Sequence, residues 1–597
     1  MEEHEKGREA FSDDAEFELH RLRHSAAHIM AEAIGKVFTG ARFAIGPATK
    51  DGFFYDVDVE RPITPEDLAV IEEEMRAICK RNSPIERKVL SRAEAIELFG
   101  RWGQDFKVER IALLPEDEEI SVYDQGGWAD LCRGPHVRRT KEARHFKLLR
   151  VSGAYLYGDS QNKQLQRVYG TVWPTKEALD QYLFRLEEAK KRDHRRIGTQ
   201  LGLFMFHDYA PGAPFWLPKG EDVYHTLSEV MRRLLVSEGY VPVRTPLIFD
   251  KALWETSGHW EHYQENVFHF AEGHHAEGAS DEEDDSRILG LKPMNCPSHM
   301  LIFASARRSY RELPLRIHDQ GVLHRNEARG ALGGLTRVRQ FSQDDGHIFC
   351  MEEQIEDEVK GVLGLVKRLY EAFGLGFKAK LSTRPPKKLV SDELWDRAEA
   401  ALASALGSVG MEYQLKAGDG AFYGPKIDFD VLDALGREWQ CATIQLDFQM
   451  PRRFGLVYVG ADNAEHVPVV VHRAIFGSFE RFIGILIEHY AGSFPVWLSP
   501  EQVRVMTVSE KSAAHGGAVY EALRAAGVKV TLDDGDEKIG KKIRECHGMK
   551  VPYMAIIGEK EQEEGGVSVR SRDHGDLGWM SLEDLLARLR SEALPPL

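Results

Sequence analysis

Val471-His472-Arg473-Ala474-Ile475-Phe476-Gly477-Ser478-Phe479-Glu480-Arg481 places a glycine-bearing turn ahead of a helix that carries an arginine in its first turns. A second stretch complements it. Val322-Leu323-His324-Arg325-Asn326-Glu327, a Gly-rich turn, and then Arg337-Val338-Arg339-Gln340-Phe341 predict strand, loop and strand with basic residues at both stems. Arginine forks bind phosphate oxygens in pairs, so such a hairpin suits a triphosphate. Taken alone it reads more readily as a surface hairpin with incidental arginines. The turn and helix at 477–481 shift the reading toward nucleotide chemistry.

Working outward, residues 201–497 are richest in aromatic residues, glycines and arginine-bearing turns, with one low-complexity insert of Glu, Asp and Gly at 272–286 that reads as a solvated or disordered loop. Beyond Pro500 strand and helix patterns alternate (503–508, 513–526, 528–532, 539–547, 553–558, 567–572, 582–590), which predicts a compact α/β domain over 498–597. Upstream, strand-like runs at 53–59, 120–123 and 146–151 mix with amphipathic helix such as 65–81, an α+β domain over 19–172. Residues 1–18 read as a flexible tail, and Trp173-Pro174-Thr175 opens a highly charged, exposed linker helix over 173–200 with Thr175 as its cap.

With 597 residues the chain asks for roughly three or four domains. Its 78 basic against 95 acidic side chains give a net charge of -17, which argues against a general nucleic-acid coat protein and makes any nucleic-acid contact local. The basic runs 190–196 and 538–550 read as solvated helix faces. Six dispersed cysteines without a CxxC pair point to a reducing compartment. An acidic N-terminus and the lack of any apolar run of about 18 residues predict a soluble, cytoplasmic protein without a membrane partner.

The turn-helix and the hairpin match two of the three signatures of class II aminoacyl-tRNA synthetases, and Gly239-Tyr240-Val241-Pro242-Val243-Arg244-Thr245-Pro246 resembles the third, which builds a dimer interface in that family. Three further strings, Lys292-Pro293-Met294-Asn295-Cys296-Pro297, Gln343-Asp344-Asp345-Gly346-His347-Ile348-Phe349 and Val471-His472-Arg473, each offer one plausible zinc ligand. A lone buried Cys or His is more often inert core, and spacing alone does not join these three. The strings do, however, resemble the threonyl-tRNA synthetase family, and the resemblance spans 19–595. It implies a multidomain fold, α+β and α/β: an N-terminal editing domain, an antiparallel-sheet class II catalytic domain and a C-terminal anticodon-binding domain.

Carried over by position, the resemblance makes Cys296, His347 and His472 the ligands of one zinc per chain. Three protein ligands leave a position open for substrate. It assigns ATP, with magnesium, to Arg325 (α-phosphate), Arg337 (γ-phosphate), Arg481 (stacking on adenine), Glu327 (reading adenine) and Gln440. The threonine pocket takes Asp345, Gln343, Tyr423, Lys426 and Gln445. His262, His269, His274, His275 and His299 are bystanders, and Ser298 stands where the family usually has glycine. The metal has a physical rationale: an apolar pocket separates threonine from isosteric valine by only about a hundredfold, whereas zinc reads the hydroxyl directly.

Serine keeps that hydroxyl and lacks only a methyl, worth about 1–3 kcal/mol, so a second sieve is required. His24-Ser25-Ala26-Ala27-His28 and Cys132-Arg133-Gly134-Pro135-His136 supply it, with His24 and His28 at helical i, i+4 spacing. By spacing a second zinc and a polar helix face are comparable readings. The resemblance assigns His24, His28, Cys132 and His136, with Lys107 and Asp130, to metal-free hydrolysis of seryl-tRNA. Arg544, Glu561 and Arg570 match anticodon-reading positions, while Asp536 replaces the usual asparagine. Only 23 residues precede His24, so the small ubiquitin-like domain that such relatives carry is expected to be missing. The expected activity is loading of L-threonine onto tRNA(Thr) by a homodimer. Alternatives are an idle tRNA-binding paralogue, which predicts lost ATP or zinc residues, and a trans-acting deacylase, which predicts a decayed C-terminal two-thirds.

Overall fold

The computed structural model describes residues 11, 13–159, 161–272, 287–385, 391–421 and 423–596, so most of the acidic insert, with His274 and His275, lies outside the described residues. The side chain of His262 does too. Two compact units divide the chain, Met1–Glu187 and Glu188–Leu597.

In the first unit a long helix, Asp14–Val37, starts where the Asp13 carboxylate accepts the Glu16 amide. Regular structure therefore begins earlier than the tail assigned to 1–18, because an acidic cap favours a helix start even in a polar stretch. Small and aliphatic side chains of this helix (Ala26, Ile29, Met30, Ala33) pack on Phe53, Tyr55, Val57 and Val168. Those belong to a sheet ordered Arg42–Phe43, Gly52–Asp58, Gln164–Val172, Phe146–Tyr155. The helix Pro65–Arg81 opens with a capping box of Thr64 and Asp67. A smaller sheet, Glu86–Leu90, Ile120–Asp124 and Ala129–Leu131, completes an α+β unit.

The linker departs from expectation. Thr175 caps as predicted, its hydroxyl accepting the Ala178 amide, but the helix Lys176–Arg192 stops at Asp193 and a second one, His194–Leu201, follows. His194, Ile197, Gly198 and Leu201 are buried, so this part is core of the second unit and not an exposed connector. Charge density misled because the charged residues fall on the outer face only.

The second unit is organised by an eight-stranded sheet in the order Val241–Pro242, Leu315–Asp319, Asp345–Cys350, Val469–Ala474, Glu438–Asp447, Lys426–Leu432, Gly376–Ser382, Tyr413–Lys416. It is antiparallel except at its two outermost pairs, which are parallel. Helices Pro218–Ser237, Ile355–Ala372 and Phe479–His489 contribute to the large core, including Leu227, Met231, Val366, Leu369, Phe482 and Leu486. Toward the C-terminus a five-stranded sheet runs Val530–Asp533, Val503–Thr507, Tyr553–Ile557, Val567–Ser571, Gly575–Met580. Two of its elements escape sequence reading. Glu559–Glu564 is all polar and has no apolar period, and Gly575 and Gly578 disguise the last strand. Lys542, read as part of a solvated face, is buried and donates to the carbonyls of Thr507 and Asp533.

A Cβ at Gly220, in the first turn of the Pro218–Ser237 helix, would sit 1.8 Å from the Leu203 carbonyl oxygen. Gly517 in the helix Ala513–Ala525 has open space. Gly220→Ala should destabilise by about 1–3 kcal/mol through overpacking, while Gly517→Ala should stabilise by about 0.4–1 kcal/mol through the unfolded chain. Thermal unfolding midpoints of the two variants should move in opposite directions; shifts of the same sign would mean that the contact at Gly220 relaxes freely.

Candidate functional site

Sheet register assembles the first site. His347 faces His472 across neighbouring strands, His472 faces Gln445, and Gln445 faces Lys426. Directly opposed residues share one face of a sheet, so four polar side chains far apart in sequence form a single row. Cys296, at the start of the helix Cys296–Ala304, joins the row's end. One donor atom from each of Cys296, His347 and His472 lies within 4.8 Å of the others, and all three residues are buried.

Neighbours fix the imidazoles. His347 uses Nδ1 toward His299 Nδ1 at 2.7 Å, and His472 uses Nε2 toward Asp447 Oδ2 at 3.1 Å. Each ring therefore keeps one nitrogen for a metal, the arrangement that orients histidine ligands elsewhere. Burial drives His347 well below the usual imidazole range and lifts the Cys296 thiol well above its own, reinforced for Cys296 by Asp345 and Asp447. A thiol beside two carboxylates and two imidazoles has the composition of a cation site, and three protein donors fit zinc with a position left open. His299, taken from sequence as a bystander, instead touches a candidate ligand. His269 bonds its own segment through the Val267 carbonyl.

The predicted amino-acid pocket surrounds this group. Asp345 is buried and accepts from Asn295 Nδ2 at 3.1 Å; Tyr423 donates to Gln445 Oε1 at 3.0 Å; Lys426 pairs with Asp428 at 2.8 Å. Asp428 also receives Gln440 Nε2 at 2.8 Å.

An adjoining cavity of about 490 Å³ gathers Arg325, Glu327, Arg337, Gln343, Gln440 and Arg481. Its guanidinium groups are tethered. Arg481 Nε donates to the Thr336 carbonyl at 2.9 Å and Nη1 to that of Gln440 at 2.8 Å, Arg325 donates to Pro293, and Arg337 pairs with Glu327 at 2.8 Å. Burial, together with the charges of Arg325 and Arg337, lowers the Arg481 pKa from its usual value. Asp344, missed from sequence, holds the turn: its carboxylate accepts the amides of Ile475, Phe476 and Gly477 at 2.8, 3.0 and 3.1 Å. Gly477 has φ +78°, and a Cβ there would lie 2.7 Å from the Cys441 carbonyl. Only glycine fits this turn.

In the first unit a separate cavity of about 330 Å³ is lined by His24, His28, Tyr55, Lys107, Asp130 and Cys132. Cys132 Sγ lies 3.1 Å from His24 Nε2 and 3.2 Å from His136 Nε2, with His136 buried behind it against Ser25. Lys107 meets Asp130 at 2.6 Å, and Tyr55 donates to the same carboxylate. Tyr55 was not foreseen, since nothing in a strand motif marks it. Burial holds His24 at about 3 and His28 at about 4 and pushes the Cys132 thiol up to about 12. The pocket thus presents neutral imidazoles and a neutral thiol. His24, His28, Cys132 and His136 are also close enough to hold a metal ion.

Of the predicted anticodon residues, Arg544 is exposed on the helix Ile539–Gly548 and Arg570 half-buried on Val567–Ser571. Glu561 has both carboxylate oxygens engaged, by the Gly558 amide and the Ser568 hydroxyl.

Three family models match the chain: "tRNA synthetase class II core domain (G, H, P, S and T)" at 278–490, "Anticodon binding domain" at 502–592, and "Threonyl and Alanyl tRNA synthetase second additional domain" at 120–169. A threonine--tRNA ligase of Thiobacillus denitrificans is 52% identical over 579 residues, covering 96% of this chain and 89% of that protein. One of Caldanaerobacter subterraneus is 49% identical, covering 95% and 86%. The crystal structure of the RNA binding domain of threonyl-tRNA synthetase from Cryptosporidium parvum superposes with a TM-score of 0.63 at 44% identity, over 67% of this chain and 98% of that one.

Cys296→Ser, His347→Ala or His472→Ala should each abolish stoichiometric metal binding, and Asp447→Asn should weaken it about 10–100-fold by freeing the His472 ring. Metal analysis of the purified variants, with chelator competition for Asp447→Asn, checks this. Full metal retention in all three ligand variants would move the site elsewhere.

Proposed function

The chain belongs to the threonine--tRNA ligase family, and from that premise we propose that its two cavities carry opposite reactions, synthesis of threonyl-tRNA(Thr) in the second unit and hydrolysis of seryl-tRNA(Thr) in the first. One observation supports this most: three metal-competent donors, two on a cross-strand row and one from a helix start, beside a cavity lined by three arginines. Arg325 neutralises the α-phosphate of ATP, Arg337 reaches the γ-phosphate, Arg481 stacks on adenine, and Glu327 and Gln440 complete the nucleotide site, with magnesium as the accompanying cation. Cys296, His347 and His472 would hold the zinc, which would supply an electrophilic position for reading an amine together with a hydroxyl. Asp345 accepts the substrate hydroxyl, and Gln343, Tyr423, Lys426 and Gln445 orient the amino acid.

The substrate carboxylate then attacks the α-phosphorus in line, the bond to pyrophosphate breaks, and a tRNA ribose hydroxyl takes the acyl group as AMP leaves. Positioning and charge neutralisation suffice for such a transfer. Arg544 and Arg570, with Glu561, face the anticodon in this reading. Exposed Val241 within the 239–246 segment, flanked by exposed Val236, Leu247 and Ile248, favours a homodimer there. All six cysteines are free, which suits the cytoplasm, and among the described residues no helix is long and apolar enough to cross a membrane.

Pyrophosphate exchange with each of the twenty amino acids should respond to threonine. Arg325→Ala and Arg481→Ala should each lower kcat/KM by at least about a hundredfold, since removing one preorganised donor to developing charge costs about 2.7–4 kcal/mol. Near-normal exchange in either variant would refute the nucleotide site.

In the first unit His28→Ala with His136→Ala should spare threonine activation while seryl-tRNA accumulates. Because His24 and His28 titrate near 3 and 4, they are already neutral bases at pH 6. Enzymatic deacylation, corrected for the spontaneous rate, should therefore lose nothing to imidazole protonation between pH 8 and 6. A falling limb centred near 6.5 would contradict this, and chelator-sensitive hydrolysis would assign a metal to the tetrad of His24, His28, Cys132 and His136.

A further inference from the structure

His194 lies far from every residue placed in the nucleotide site by sequence, within the run 190–196 that reads as surface charge. It is nevertheless buried, and both ring nitrogens are committed. Nδ1 sits 2.7 Å from Glu488 Oε1, and Nε2 accepts the backbone N–H of Leu335 at 3.0 Å. An amide can only donate, so Nε2 is the bare nitrogen and Nδ1 carries the proton toward the carboxylate. Burial pushes the Glu488 carboxyl up, but hydrogen bonds from His194 and the charge of Arg437 outweigh it and hold the group below its usual range, ionised. The tautomer is thereby fixed from one side and used on the other.

The segment it holds is the one between the two arginine stems. Leu335 is fully buried, and the next residue, Thr336, gives its carbonyl to Arg481 Nε at 2.9 Å, while Arg337 follows directly. Packing is close on all sides. A Cβ at Gly334, whose φ is +62°, would fall 2.4 Å from His194 Nε2, and one at Gly484 of the helix Phe479–His489 would meet Leu335 at 3.3 Å and His194 at 3.7 Å. Loop, helix and ring thus meet at one point. Asp193, His194 and Glu488 also have metal-like spacing, but both His194 nitrogens are taken and the Asp193 carboxylate is held by the Arg195 guanidinium and amide.

We infer that His194 is a positioning residue of the nucleotide site, a tautomer-locked bridge from Glu488 to the Leu335 amide that sets where Thr336 and Arg337, and through Thr336 Arg481, meet the phosphates and base. The inference rests on the ATP assignment given above. The ring touches no substrate; its effect is carried by one hydrogen bond to a loop.

Two substitutions separate the ring's two bonds. His194→Asn keeps a donor at the Nδ1 position for Glu488 and removes the acceptor for Leu335, whereas His194→Gln extends an amide oxygen to the Nε2 position. In pyrophosphate exchange, losing this hydrogen bond should raise the ATP KM of His194→Asn about tenfold, which corresponds to about 1.4 kcal/mol. KM for threonine and bound metal should be unchanged, and His194→Gln should recover most of the loss. The same bond is read without activity by hydrogen exchange: the Leu335 amide should lose protection in His194→Asn while amides of the 479–489 helix keep theirs. Coupling supplies the third reading. Adding His194→Asn to Arg337→Ala should cost clearly less than adding it to the parent enzyme. Equal rises in both KM values, no recovery by glutamine, or unchanged Leu335 exchange would overturn the inference. A normal ATP KM for Arg337→Ala itself would fault the ATP assignment instead, and Leu335 exchange would then decide alone. If His194→Asn does not fold, His194→Gln with parent-like Leu335 protection and ATP KM supports the bridge, and lost protection at parent-like KM overturns it.

Discussion

Strand register is the constraint on which this molecule depends. His347, His472, Gln445 and Lys426 come from four segments between 345 and 474, and they meet because each faces the next in the ladder. A slip of one residue in any strand would send its contribution to the opposite face. Burial on both faces prevents that slip: Ile348 and Val471, Ile444 and Ile427 are fully enclosed beside the polar row. Asp344 extends the same logic past the end of the strand, because its three amide acceptances pin the turn at 475–477 from which the arginine-bearing helix departs. Burial pushes its carboxyl up to about 7 against the pull of Arg473 and these amides, which explains why the anchor needs so many donors.

The two cavities solve opposite electrostatic problems. In the second unit charge is retained: guanidinium groups are held on backbone carbonyls or a carboxylate, so little reorganisation would be required for the phosphates of the proposed reading. In the first unit the buried part of the cavity is kept neutral: desolvation holds three imidazoles and a thiol uncharged, while the buried ion pair of Lys107 with Asp130 is satisfied by Tyr55. A neutral basic pocket suits ester hydrolysis, and a cationic cleft suits phosphoryl displacement.

Much of this was readable in advance, for identifiable reasons. Strands at 53–59, 120–123 and 146–151 and the helix 65–81 carry strong apolar periods and caps, and they appear within a few residues of the reading. The zinc and arginine candidates lie in or within a few residues of regular elements, His347 and His472 in strands, Cys296 and Arg481 in helices, and Arg325 and Arg337 beside the strands Val322–His324 and Gln340–Ser342. Partners such as Asp344, Asp447, His299 and Tyr55 stayed hidden, since their importance lies in cross-strand neighbours that a linear chain does not display. Asp13 and Asp193 were misread for a simpler reason: one acidic residue decides where a helix starts, and local charge density drowns its signal.

The tethered arginines acquire a further meaning against the net charge of -17. In the proposed reading, both polyanionic ligands approach a molecule whose net charge repels them, and only within roughly a Debye length, about 8 Å at physiological ionic strength, does the cluster of Arg325, Arg337 and Arg481 reverse the sign. Capture is then a short-range event preceded by a weak barrier. In the proposed reading, salt screens the repelling net charge as well as the attracting cluster, so encounter rates for nucleotide and tRNA fall less steeply with ionic strength than they do for a uniformly basic binder.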